Sequence, residues 1–175
     1  MSEFSESFHL LTGDRTEAEA LVRQSGLSGW TLPPSSGGWT PMVIDRDFTG
    51  EPDDRLVQAN TGVLVLYVCA EDHGCELTVW SGAETIGHYR AEWTEEVEVE
   101  DHLDPAAVQA AVGDRAEIDA EALKAGLSVA AIESSLDPAD GVRRAAAALG
   151  LGPVDWLSAA YLRHDATERD AAYVG

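Results

Sequence analysis

Basic residues are scarce in this sequence, which has 11 lysines and arginines against 32 aspartates and glutamates. Lys124 is the only lysine, and the formal net charge of the 175 residues is −21. A surface with this excess of negative charge repels the phosphates of nucleic acids and of anionic membranes. We therefore expect no nucleic-acid or membrane partner. The acidity favours solubility, and it would also suit a basic protein partner.

Long apolar runs are missing as well. No segment approaches the ~20 apolar residues that a membrane-spanning helix needs. The first residues, "MSEFSESFHLL", are acidic and lack the apolar core of a secretory signal. We expect a cytoplasmic protein, and the composition, rich in alanine and arginine but poor in lysine, indicates a prokaryotic source with a GC-rich genome.

Cysteine occurs only twice, at Cys69 and Cys75. Two cysteines are too few for a zinc site or for the disulfide framework of a small secreted protein. Their C-x5-C spacing also differs from the C-x2-C spacing of redox and zinc motifs. Because both lie in apolar strand patterns, we expect inert core thiols.

Several catalytic motifs are absent from the sequence. A P-loop ends in Gly-Lys-Ser/Thr, whereas Lys124 is followed by alanine. The chain also has no G-x-S-x-G, no H-E-x-x-H and no EF-hand loop. These absences argue against an enzyme but leave the question open.

Strand patterns dominate the first hundred residues. Residues 63–70 are apolar on both alternating faces, which indicates a central strand, and residues 75–80 alternate between apolar and polar. A third strand is predicted from Thr85 to about Val99, with glutamates on a solvent-exposed side. These segments predict a three-stranded antiparallel meander over about 62–100.

Helix signals dominate the rest of the chain. "LDPAAVQAAVG" and "LDPADGVRRAAAALG" each place Asp and Pro at a helix start and Gly near its end. We predict an α+β fold with a mixed or antiparallel sheet, packed by two helices and followed by a C-terminal helical part. Residues 1–163 are expected to form a single compact domain, sheet-rich over 1–101 and helical over 102–163. Residues 164–175 are expected to be a frayed tail.

Two acidic segments are candidate metal sites. Asp45 and Asp47 lie two residues apart at the end of a predicted strand, where their carboxylates could bind one divalent metal. Glu71, Asp72 and His73 offer carboxylate and imidazole ligands in the predicted turn of a hairpin. A solvated acidic loop and an ordinary hairpin turn explain the same residues. No cofactor other than a divalent metal is indicated.

Three tryptophans are candidates for an interaction surface. Trp30 precedes and Trp39 ends a loop rich in Pro and Gly, and Trp80 shares a strand face with polar residues. Exposed tryptophans often anchor partners, whereas buried ones supply large areas to a core.

These observations leave three functional hypotheses. The first is a non-catalytic module that binds a protein partner or associates with itself. The alternative is a hydrolase or transferase that depends on a divalent metal bound by Asp and Glu carboxylates. The second alternative is a small-ligand-binding domain with a cavity between the sheet and the helical half.

Overall fold

The protein, described over residues 3–175 by a computed structural model, is an α+β fold built on one antiparallel sheet. In the described residues the sheet has eight strands: β1 (Phe4–Leu11), β2 (Gly29–Thr31), β3 (Trp39–Ile44), β4 (Val63–Ala70), β5 (Gly74–Ser81), β6 (Glu84–Glu92), β7 (Glu98–Asp101) and β8 (Ala172–Val174). Their order across the sheet is β7-β6-β5-β4-β1-β3-β2-β8. Consecutive strands β4 to β7 lie side by side, so the predicted meander is confirmed and gains a fourth strand.

Two helices precede the meander and the others follow it. The helices are α1 (Arg15–Gln24), α2 (Asp54–Ala59), α3 (Pro105–Val112), a 3-10 turn (Gly113–Arg115), α4 (Ala120–Gly126), α5 (Val129–Glu133), α6 (Ala139–Ala148) and α7 (Ala159–Asp165). The predicted start of α3 is confirmed, because the Asp104 side chain accepts a hydrogen bond from the backbone of Ala106 and Pro105 is the first helical residue. None of the helices in residues 3–175 has the length and apolarity of a membrane span.

The sheet has two faces, each covered by a different group of helices. On the face that we call the front, apolar side chains of the strands pack with helices α3 to α6, as Tyr67 does with Val142 and Leu149 in one hydrophobic cluster. On the back face, Leu66 and Trp80 belong to a cluster that includes side chains of α1 and α2. The alternation within each strand therefore decides which group of helices a side chain meets.

The third predicted strand is in fact a hairpin. A single strand from Thr85 to about Val99 was expected, but β6 ends at Glu92 and β7 returns beside it from Glu98. Trp93 lies at the break, where its backbone N–H donates to the carbonyl of His73 and its indole N–H donates to the carbonyl of Glu71. These two bonds hold Trp93 against the turn between β4 and β5, and the chain reverses in the residues that follow.

The C-terminal tail is ordered at its end rather than frayed. β8 pairs with β2, and Val174 is buried in the back-face cluster. The last helix, α7, begins at Ala159. The turn before it has Trp156 at φ 53°, and its backbone N–H donates to the carboxylate of Glu3.

The two cysteines are paired rather than free. Cys69 of β4 and Cys75 of β5 lie directly opposite each other, and they form a disulfide across the two strands. The prediction of inert thiols is therefore wrong. The C-x5-C spacing allows this pairing because the three-residue turn, residues 71–73, places Ala70 opposite Gly74 and therefore Cys69 opposite Cys75 in the next pair.

Candidate functional site

The back face of the last two meander strands is open to solvent. Along β6, Tyr89 and Ala91 are buried on the front face, whereas Arg90 between them is exposed on the back. Glu98 and Glu100 of β7 lie opposite Glu92 and Arg90 and are exposed on the same side. On the back face, this part of the sheet therefore presents charged side chains to solvent. The neighbouring part of the same face carries apolar side chains, which α1 and α2 cover.

A pocket of about 270 Å³ lies at one end of this open face, between the meander and the loop that follows β3. Its apolar part comprises Phe48, Val68 and Ala70. Its polar part comprises side chains from the loop, the hairpin turn and strands β5 and β6: Thr49, Glu51, His73, Glu76, Arg90, Glu92 and Thr94. The pocket therefore has apolar walls and a charged rim.

The loop wall of the pocket is held by a buried glutamate of β1. Oε2 of Glu6 accepts hydrogen bonds from the backbone N–H groups of Thr49 (3.1 Å) and Gly50 (2.8 Å). Oε1 of the same carboxylate accepts from Nε of Arg46 at 2.9 Å. Gly50 adopts φ 71°, a conformation that side chains other than glycine rarely adopt. One carboxylate thus sets the path of residues 46–50.

A chain of hydrogen bonds orients the polar side chains of the strand wall. Thr78 donates from Oγ1 to Oε1 of Glu76 at 2.9 Å, and Nδ1 of His88 lies 3.0 Å from the same hydroxyl oxygen. Because the only hydroxyl hydrogen is directed at the carboxylate, Nδ1 of His88 is the donor in the second bond. Within residues 3–175, Oε2 of Glu76 has no hydrogen-bond partner, so it is free to accept one from a ligand.

The pocket continues into an acidic depression toward the edge of the sheet. This depression is lined by Arg90, Glu92, Val99 and the two exposed glutamates of β7, and it shares Arg90 and Glu92 with the pocket. Arg90 and Glu92 form an ion pair with each other. Their charges offset each other, and the other carboxylates of the pocket and depression are those of Glu51, Glu76, Glu98 and Glu100. Two of these have a histidine beside them, with His88 3.7 Å from Glu76 and His102 3.2 Å from Glu100.

The predicted carboxylate pair after β3 is engaged by the protein itself. Asp45 accepts a hydrogen bond at Oδ1 from Nη2 of Arg163 at 2.8 Å, and at Oδ2 from the hydroxyl of Tyr173 at 3.1 Å. Asp47 is fully exposed and lies 3.9 Å from the same guanidinium. These contacts use the carboxylate oxygens of Asp45 to join β3, α7 and β8.

The acidic cluster Glu71-Asp72-His73 is the three-residue turn between β4 and β5. Glu71 accepts from the backbone N–H of Glu3, and Asp72 and His73 are exposed. His73 lines the pocket, whereas Asp47 lines a separate depression beside Arg163. In the described part of the chain, no three His, Cys, Asp or Glu residues are grouped to hold a metal ion. The structure does not bring the two predicted segments together.

The three candidate tryptophans are core residues. Trp39 is fully buried, and its indole N–H donates to the carbonyl of Leu149 at 2.9 Å. Trp30 packs with α7 side chains such as Leu162, and Trp80 packs in the back-face cluster. None of these rings is part of an exposed surface in this structure, because each side chain fills the space between the sheet and its helices.

Comparisons of this chain with protein-family models, with curated proteins and with solved structures find no match. Its function is therefore inferred from its own side chains.

Sequence reasoning missed most of the residues that form the pocket. Phe48 and Glu51 lie in a segment that was considered only for its carboxylates, and Glu6 lies in a short strand with no motif. The sequence feature that pointed to this site was the row of solvent-exposed glutamates predicted on the third strand. Glu92, Glu98 and Glu100 of that row line the pocket or the depression. The hairpin at Trp93 then brings the three onto adjacent strands.

Proposed function

We propose that this protein is a non-catalytic binding module that takes a basic segment of a protein partner on the open back face of β5 to β7. The observation that supports this most strongly is the continuity of the pocket and the acidic depression. Together they carry four carboxylates for which the lining supplies no arginine or lysine other than Arg90, and Arg90 is paired with Glu92. A surface of this sign attracts a basic partner and repels an acidic one.

The edge position of β7 supports an extended rather than a helical partner segment. β7 is the last strand of the sheet and pairs on one side with β6. An extended peptide can add to such an edge through main-chain hydrogen bonds while its alternate side chains face the surface. Basic side chains at alternate positions would then lie on the back face beside Glu98 and Glu100.

A binding assay with paired charge variants tests the proposal. A fluorescent arginine-rich peptide is titrated with the native protein and with the double variant Glu98→Gln/Glu100→Gln at low salt. We expect the double variant to bind about five- to tenfold more weakly, since it removes two solvent-exposed charge pairs. High salt should weaken binding by the native protein.

A matched control distinguishes binding at the proposed site from general attraction by the net charge of −21. The variant Glu121→Gln/Glu133→Gln removes the same two charges from exposed positions on α4 and α5, away from the back face. The proposal requires this control to retain native affinity. Equal losses in both double variants would show that the peptide responds only to total charge, and would overturn the proposed site.

A further inference from the structure

We infer that the pocket beside the Phe48–Glu51 loop is the specificity site of this surface and takes the guanidinium side chain of an arginine. This inference rests on the proposed function and deepens it, because it names the side chain that the partner presents. The depression would supply general attraction, and the pocket would select one residue type.

The size and apolar walls of the pocket fit a single long side chain. Its volume of about 270 Å³ is below the roughly 300–1,000 Å³ of pockets that enclose drug-sized ligands. Val68 and Ala70 form apolar walls along which the methylene groups of an arginine can lie. A short or purely polar side chain would leave these walls uncovered.

The charged rim selects a cation. Glu76 offers its free Oε2 from the strand wall, where its other oxygen is fixed by Thr78. Glu51 adds an exposed carboxylate from the loop wall. The lining has one arginine and no lysine, and this arginine, Arg90, is paired with Glu92. An anionic ligand would therefore be repelled by the carboxylates of Glu76 and Glu51.

Phe48 favours a guanidinium over an ammonium group. Its ring is 40% exposed and lines the pocket, and its edge contact with Phe4, with ring centroids 5.5 Å apart, fixes its position. A guanidinium is planar and weakly hydrated, so it stacks on aromatic faces and hydrogen-bonds carboxylates in the same plane. A lysine ammonium is a strongly hydrated point charge that does not stack.

An NMR titration with single-residue probes tests the inference. N-acetyl-arginine amide, N-acetyl-lysine amide and the uncharged N-acetyl-citrulline amide are each added to the ¹⁵N-labelled protein. We expect saturable amide shifts at residues 48–51 and 74–76 with the arginine probe, and affinity for the other two that is at least about fivefold weaker. Equal binding of the lysine or citrulline probe, or no saturable shift with arginine, would overturn the inference.

Two charge variants then locate the binding. Glu76→Gln retains an oxygen for the Thr78 hydroxyl, and Glu51→Gln changes an exposed loop residue, so both are expected to fold. Each should weaken the arginine probe, by about tenfold for Glu76→Gln because a charge-assisted hydrogen bond is lost. Glu121→Gln removes the same charge from an exposed position on α4, outside the binding surface, and should leave the affinity for this probe within about twofold.

The failure of this inference is distinguishable from failure of the proposed function. If the arginine-rich peptide binds and loses affinity with Glu98→Gln/Glu100→Gln, but the arginine probe does not bind in the pocket, only the pocket assignment is wrong. If neither the peptide nor the probe binds, both proposals are wrong. Probe binding that is unchanged in Glu51→Gln and in Glu76→Gln would also overturn the pocket assignment.

Discussion

The buried carboxylate of Glu3 and the half-buried guanidinium of Arg143 in α6 form an ion pair, with Oε2 of the glutamate 2.8 Å from Nη2 of the arginine. Oε1 of Glu3 accepts from the backbone N–H of Trp156, so this carboxylate joins the sheet to both α6 and the turn before α7. Burial alone would lower the pKa of Arg143, but hydrogen bonds to Asp137 and Glu3 raise it well above its usual range. The guanidinium is therefore a permanent charge in this site.

Loss of Arg143 is expected to destabilise the protein strongly. The Glu3 side chain is 2% exposed, so Arg143→Met leaves a buried carboxylate without its cation. Such a loss costs about 3–5 kcal/mol of unfolding free energy, measured by urea denaturation. Arg23→Met, which breaks the exposed pair with Glu19, serves as the control and should cost less than about 1 kcal/mol. If both variants lose the same small amount, the pair does not have this role.

His9 makes stability dependent on pH in the acid range. It is fully buried next to Ser7, whose hydroxyl lies 2.9 Å from Nε2, and burial lowers the pKa of His9 from 6.5 to about 3. Between these two values the unfolded chain binds a proton that the folded protein does not. Stability is thus lost as pH falls from 6.5 towards 3, by about 1.4 kcal/mol per pH unit.

The variant His9→Gln isolates this effect, because glutamine does not titrate and can still hydrogen-bond Ser7. The difference in unfolding free energy between native protein and variant should shrink steadily as the pH is lowered from neutral, as followed by urea denaturation at several pH values. Parallel curves for the two proteins would mean that His9 is not buried in its neutral form.

Glu6 is expected to control the shape of the pocket from a distance. Glu6→Gln weakens the acceptor of the Thr49 and Gly50 backbone N–H groups and removes the charge opposite Arg46. We expect a loss of about 2–3 kcal/mol in stability, typical of a charged hydrogen-bonding group. Hydrogen exchange should also become faster at residues 49 and 50. Unchanged exchange there would show that the loop is held by other contacts.

The Cys69–Cys75 disulfide has a simple chemical test. Denatured protein kept without reductant should show no free thiol in a thiol-reagent assay, and should show both after reduction. Because the bridge closes a short loop, its loss in Cys69→Ala/Cys75→Ala should cost about 2 kcal/mol of stability. Two thiols that react without reductant would contradict the pairing.

Local patterns predicted the longer elements of this fold but not the short strands that depend on distant partners. The apolar run of residues 63–70 coincides with β4, and the Asp-Pro start at residues 104–105 begins α3. By contrast, β2 and β8 have three residues each and depend on pairing, because β2 pairs with β3 on one side and with β8 on the other. Pairing between segments about 140 residues apart leaves no periodicity in a short strand.

The candidate site was harder to predict than the fold because its parts come from separate segments. Asp45 and Glu71 were chosen as metal ligands by residue type, yet Asp45 is bonded to Arg163 and Glu71 to the backbone of Glu3. Other carboxylates, such as that of Glu76, remain available to a ligand. Whether a carboxylate is available depends on the face and the end of the sheet at which it lies. That information depends on the hairpin at Trp93 and on the loop that Glu6 holds.

The most direct measurement is a map of the backbone amide shifts of the ¹⁵N-labelled protein when the arginine-rich peptide is added. The proposal predicts saturable shifts in β5 to β7 and in the Phe48–Glu51 loop, and native positions for the amides of α4 to α6. Shifts confined to the helices, or spread evenly over the acidic surface, would contradict the proposal that the open back face is the binding site.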